Sequence, residues 1–143
     1  MRSPDGRECS ELHQRPRISL SGKRTTKVCF LNPQRRTVDQ ITVDDCAITE
    51  GVRCDWLLLL NDAISREEIY VELKGSDVPH AVEQIKATIA KLSADFRKLR
   101  KRCVVVFSRS PISGTDIQNL KVKFWKDFSA RFEMVRDGAE VPL

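Results

Sequence analysis

Two acids and a lysine are the residues of this chain whose types and spacing suit chemistry. Asp55 opens the apolar run Trp56-Leu57-Leu58-Leu59-Leu60, and Glu72-Leu73-Lys74 closes the run Ile69-Tyr70-Val71 just before Gly75. In a strand, residues two apart share a face, so Glu72 and Lys74 project together while Val71 and Leu73 face the other way. If the two strands pair, the Asp55 carboxylate can join them. Two carboxylates and a lysine at the end of a buried sheet make a candidate metal site, which is chemistry for cutting a phosphodiester. The bland alternative is a solvated strand end whose Glu and Lys pair as neighbours. Against it, Glu72-Leu73-Lys74 is the only acid-x-Lys triplet in the chain, and Asp55 is an acid set directly before five apolar residues. Gly75 also lets the backbone turn sharply after the triplet.

These residues need strands and a helix to hold them. Lys27 to Leu31 and Thr37 to Val43 read as strands, followed by Cys54 to Leu60 and Glu68 to Lys74. Val82, Ile85, Ile89, Leu92, Phe96 and Leu99 recur at helical spacing, with Asp77 as N-cap and Pro79 in the first turn. That helix is expected to end in the basic cluster Arg97, Lys98, Arg100, Lys101 and Arg102. Cys103 to Ser108 is apolar on both faces, as a strand in mid-sheet would be. Ser113 and Asp116 resemble a capping box for a second helix, with Ile117, Leu120, Phe124 and Phe128 inward. A segment around Glu133 to Arg136 adds an edge strand. The strand–helix–strand order predicts a right-handed βαβ unit. The fold class is therefore α/β, a mixed central β-sheet flanked by helices. Residues 1–25, rich in Arg, Ser, Pro and Gly, read as a flexible basic arm with a short helix near Glu8 to His13. Residues 26–143 read as a single domain.

The order of these motifs resembles the PD-(D/E)XK nuclease superfamily, which includes restriction-endonuclease-like and Holliday-junction-resolvase-like enzymes. The resemblance rests on Cys54-Asp55-Trp56-Leu57, then Tyr70-Val71-Glu72-Leu73-Lys74-Gly75, then the helix and a further strand, over roughly Lys27 to Ser108. No proline precedes Asp55, and only Glu8 or Glu11 could supply the acid that many members carry on an earlier helix. The resemblance implies a restriction-endonuclease-like core in which Asp55, Glu72 and the Leu73 carbonyl hold Mg²⁺, with Mn²⁺ as a substitute. Hard oxygen ligands are what magnesium demands. Such an ion would stabilise charge on the phosphorane and acidify the attacking water, and Lys74 would orient that water or neutralise the transition state. Gln84, at the edge of the helical stripe, matches a glutamine that reaches toward the site in several branches. The expected activity is hydrolysis of nucleic acid, DNA before RNA. The alternative is an inactive nuclease-like domain that binds nucleic acid or protein.

Composition sets the outer limits. The chain of 143 residues carries a net charge of +5 with pI near 9.1, a modest lean toward a polyanionic partner. Arg109, just past the apolar strand, and Lys121 and Lys123 on the second helix are the candidate nucleic-acid contacts. Lys126 and Trp125 extend that basic stretch. His80, Asp44 and Asp45 read as surface and loop residues rather than ligands. A small domain has little surface for reading sequence, so a homodimer or a partner protein is expected. No Gly-rich phosphate loop argues for a nucleotide-binding protein instead. The N-terminus lacks the apolar core of a secretory signal, and the longest apolar run is far too short to span a bilayer. Five cysteines without a C-x-x-C pair argue against zinc or a disulfide framework, and a cytoplasmic location is expected.

Overall fold

A computed structural model describes residues 1–22, 25–75, 77–95, 99–109 and 112–143, and of Lys74 and Gly75 the backbone alone. In chain order the elements are β1 (Ser10–His13), β2 (Arg17–Ser21), β3 (Lys27–Leu31), β4 (Val38–Thr42), β5 (Trp56–Asn61) and β6 (Arg66–Gly75). They continue with α1 (Val78–Leu92), β7 (Arg100–Phe107), α2 (Gly114–Phe128), β8 (Ala130–Arg136) and β9 (Glu140–Pro142). A six-stranded mixed sheet has the order β1-β4-β5-β6-β7-β8, and a three-stranded sheet has the order β2-β3-β9. Neighbours from β1 to β6 are antiparallel, whereas β6, β7 and β8 run parallel and are joined through α1 and α2.

The large sheet is the middle of three layers. Leu57, Tyr70, Cys103 and Val105 meet Val82, Ile85, Ile89 and Phe124 of the helices. On the opposite face Leu58, Leu60, Ile69, Val71, Val104 and Val106 meet Ile18, Leu20, Val28 and Phe30 of the small sheet. Covering both faces explains why β5 and β7 read as unbroken apolar runs. Both helices start where the chemistry of the strand ends suggests. Asp77 Oδ1 accepts from His80 N–H at 3.2 Å, and Ser113 Oγ accepts from Asp116 N–H at 3.1 Å.

Three expectations are corrected. Residues 1–25 are not a loose arm: β1 adds to β4 and β2 pairs with β3. The segment near Glu8 to His13 runs into a strand rather than a helix. The arm is tied down by the alternation Arg17-Ile18-Ser19-Leu20-Ser21, which buries Ile18 and Leu20 under the large sheet. The long helix is also shorter than its apolar stripe, because α1 stops at Leu92. Glu68, buried on β6, takes the chain there: Ser93 Oγ donates to its Oε1 at 2.6 Å and Ala94 N–H to its Oε2 at 3.1 Å. Phe96, Arg97 and Lys98 lie outside the described residues, while Arg100, Lys101 and Arg102 belong to β7 rather than to a helix end. Lys101 is buried, and its Nζ donates to the carbonyls of Asp95 (2.8 Å), Leu99 (2.6 Å) and Phe128 (3.3 Å). Burial pulls its pKa down while the Glu68 charge opposes that pull.

The third correction is the disulfide Cys9–Cys46, which joins residues 37 apart in sequence and ties the segment before β1 to the loop after β4. Cys29, Cys54 and Cys103 remain free thiols. Among the described residues no helix is long and apolar enough to cross a membrane. Cross-linking a loop of this size constrains the unfolded chain, so reduction should lower unfolding free energy by roughly 2–4 kcal/mol. Urea titration with and without reductant checks this, and superimposable curves would contradict it.

Candidate active site at the end of β6

β5 and β6 differ in length, and the site sits where the shorter one runs out. Their ladder ends at Trp56 opposite Val71, but β6 continues to Gly75. The Leu73 N–H is directed to the side where β5 has stopped, and the Asp55 carboxylate stands in for the missing strand. Asp55 Oδ2 accepts that N–H at 2.9 Å. The Asp55 backbone is held as well: its N–H donates to Val71 O at 3.2 Å, and its carbonyl accepts from Val43 at 3.0 Å and Asp44 at 3.3 Å. An acid directly before an apolar strand therefore has a local reason, which is to continue the sheet edge by side chain.

Glu72 precedes Leu73 and is only 2% exposed. By strand alternation it shares the helix-facing side with Tyr70 and Glu68. The thiol of Cys54 reports on both acids. Burial above all pushes its pKa up, and the charges of Glu72 and Asp55 add to that, against a hydrogen bond with Thr88 that lowers it. Both acids are therefore near enough for their charges to act on one buried group. The Lys74 side chain lies outside the described residues.

Gly22, directly after β2, closes over this end. Trp56 Nε1 donates to Ser21 O at 3.0 Å, which seats the next residue, Gly22, against β6. A methyl on Gly22 would lie 3.0 Å from Leu73 Cβ, 3.2 Å from Leu73 O and 3.8 Å from Asp55 Oδ2. The Leu73 carbonyl and the Asp55 carboxylate therefore border the same small space, which only glycine leaves open. Both are hard oxygen donors of the kind Mg²⁺ takes, while strand alternation places the Glu72 side chain on the helix-facing side of β6. Among the described residues no group of three or more His, Cys, Asp and Glu gathers as a metal site. What the geometry brings together here is the Asp55 carboxylate and the Leu73 backbone.

Gln84 is near the site but engaged elsewhere. Its Nε2 donates to Arg53 O at 2.9 Å, and its buried Oε1 has no hydrogen-bond partner among the described residues. Thr88 Oγ1 accepts from Cys54 N–H and donates to Gln84 O, both at 2.8 Å. Gln84 and Thr88 thereby stitch α1 to Arg53 and Cys54, directly before Asp55, and Gln84 reads as a positioning residue. Arg109 is exposed two residues beyond Phe107, whose ladder partner is Gly75, so it stands at the same sheet end.

Lys121 and Lys123 do not form one basic stripe. Lys121 lines a groove beside β8 with Trp125, whereas Lys123 lines a groove of about 470 Å³ between α1 and α2 with Lys86. Helical geometry separates positions two apart by about 200°, so alternate lysines on α2 diverge. His80 is exposed and Asp44 pairs with Arg53 at 2.8 Å, in keeping with roles outside the site. Gly22 is the residue that strand and acid patterns miss. Its signal is a lone glycine after an alternating strand, where close backbone approach is common.

No family model matches the chain, and neither a curated protein nor a solved structure matches it.

Gly22→Ala should cost about 1–3 kcal/mol of stability, because Leu73 on a strand packed on both sides must yield. Gly114→Ala, where an added methyl meets nothing within 4 Å, should cost none. Chemical denaturation of both variants checks the contrast; equal stabilities would mean that Gly22 does not press on β6.

Proposed function

We propose that the protein is an Mg²⁺-dependent nuclease of the PD-(D/E)XK type, hydrolysing phosphodiester bonds in DNA before RNA. The observation that carries this reading is the hydrogen bond from Leu73 N–H to Asp55, which brings an acid from the start of β5 against the Glu72-Leu73 backbone. The order of elements agrees with the resemblance: an acid before β5, Glu72-x-Lys74 on β6, then α1, then β7 parallel to β6. Asp55, Glu72 and the Leu73 carbonyl would hold the ion. When bound, Mg²⁺ supplies stabilisation of charge on the phosphorane and a more acidic attacking water.

The remaining work falls to the chain itself. Lys74 orients the water or neutralises charge in the transition state. Arg109, exposed at the same end, holds a flanking phosphate. Gln84 acts at one remove, by fixing the backbone of Arg53 before Asp55. A second copy or a partner protein completes the surface that one small domain lacks. A cytoplasmic location belongs to the same reading and requires Cys9 and Cys46 to stand as thiols in the cell, since cytosolic reductants keep such pairs open.

The expected outcome is cleavage of plasmid, single-stranded, branched or RNA substrate with Mg²⁺ or Mn²⁺, and none in EDTA. Lys74→Ala should abolish cutting with affinity for DNA nearly unchanged. Arg109→Ala should weaken binding to all sequences alike and reduce the salt slope by about one. Binding without cleavage of any substrate would favour the inactive binding module. Cleavage by Lys74→Ala at the wild-type rate would reduce Glu72-Leu73-Lys74 to an ordinary strand end.

A further inference from the structure

Trp125 is 67% exposed on α2, and Val122, one helical turn before it, is 60% exposed. Aromatic rings carry a large burial energy, so an indole left in water marks a surface that another molecule covers. What surrounds the ring says which molecule. Lys121, one turn before Trp125 on the same side of α2, lines a groove of about 410 Å³ with it, and Arg131 of β8 lines the same groove. Among the described residues neither cation is held in an ion pair. The acid of the groove, Glu133, is committed to Arg102 at 2.8 Å. Asp127, two positions beyond Trp125, lies about 200° round the helix from it.

The groove thus offers one exposed aromatic face and two uncompensated positive charges. A single nucleic-acid strand matches both, because its phosphates are anionic and every base has a flat face to stack on an aromatic ring. A duplex keeps those faces inside its own stack, so it can meet the cations but not the indole. The groove also leads to the candidate site. It follows β8 from Ala130 to Val135, and the next residue, Arg136, lies opposite Phe107, whose partner on β6 is Gly75. There the Arg136 guanidinium sits 5.6 Å from the centre of the Phe107 ring. β8 therefore ends at the sheet end that carries Leu73, two strand spacings or about 10 Å from β6.

We propose that the groove along β8 is a binding site for single-stranded nucleic acid, in which a base stacks on Trp125 and neighbouring phosphates meet Lys121 and Arg131. A strand held there runs toward the end of β6, which makes nucleic acid with an unpaired segment the substrate class. That extension rests on the proposed nuclease activity, whereas the binding site does not.

Titration with oligothymidylate in EDTA tests the site in the absence of cleavage, read by tryptophan emission and by anisotropy of a labelled oligonucleotide. Binding should quench the wild-type emission and weaken as salt rises. Trp125→Phe should bind nearly as well yet lose the quench, leaving the emission of Trp56. Trp125→Ala should lose about fivefold or more in affinity. Lys121→Glu and Arg131→Glu should each weaken binding, and all four variants should melt like the wild type because the side chains are exposed. A duplex of equal length should be indifferent to Trp125→Ala. Failure to bind oligothymidylate would overturn the proposal, as would equal affinities for the wild type and Trp125→Ala. A chain that cuts duplex DNA with Mg²⁺ but does not bind oligothymidylate would sink this site alone. Binding through Trp125 without cleavage of any substrate would uphold it and sink the nuclease reading.

Discussion

β6 must run through the centre of the sheet while carrying acids on a buried side, and the rest of the structure is arranged around that constraint. Glu68 and Glu72 each show 2% exposure. A charge taken out of water is costly unless other groups compensate it. At Glu68 the compensation is visible: Tyr70, Ser93 and Ala94 all donate to it. Those bonds end α1 and set where the chain turns back toward β7. Burial and the Glu68 charge together push the Tyr70 phenol well above its ordinary pKa, so it remains a donor. One acid at the start of β6 is thus a structural device.

At the other end of β6 the same strand solves a different problem. The mismatch in length between β5 and β6 leaves Leu73 N–H beyond the ladder, and Asp55 fills the position with a carboxylate rather than a carbonyl. That substitution puts negative charge at the sheet end from which both α1 and α2 begin. Gln84 and Thr88 hold the approach to Asp55 from the helix side, and Gly22 leaves space on the other. The two ends of one strand therefore separate architecture from candidate chemistry.

Much of this was legible in residue patterns. The apolar runs of β5 and β7, the caps Asp77 and Ser113, and the βαβ order all follow from local chemistry that tertiary packing reinforces. The parts that were not legible have physical causes. The alternation of Ile18 and Leu20 is short and set among Arg and Ser, so composition hides a strand that is stable only under the large sheet. The α1 stripe continues past Leu92 in sequence, but a partner distant in sequence, Glu68, captures the chain first. Gln84 has the spacing of a site residue, and only three-dimensional contact reveals that it bonds Arg53 instead. The pairing of Cys9 with Cys46 depends on β1 lying beside β4, which no spacing rule encodes.

The proposed function requires Asp55, Glu72 and the Leu73 carbonyl to share one cation. Paramagnetic broadening of backbone amide signals by substoichiometric Mn²⁺ tests it without reference to cleavage. The account predicts that the amides of Gly22, Asp55 and Leu73 broaden first, while those of Asp62 and Asp137, acids in other turns, persist. Broadening spread over the exposed acidic loops, or none near Leu73, would contradict it.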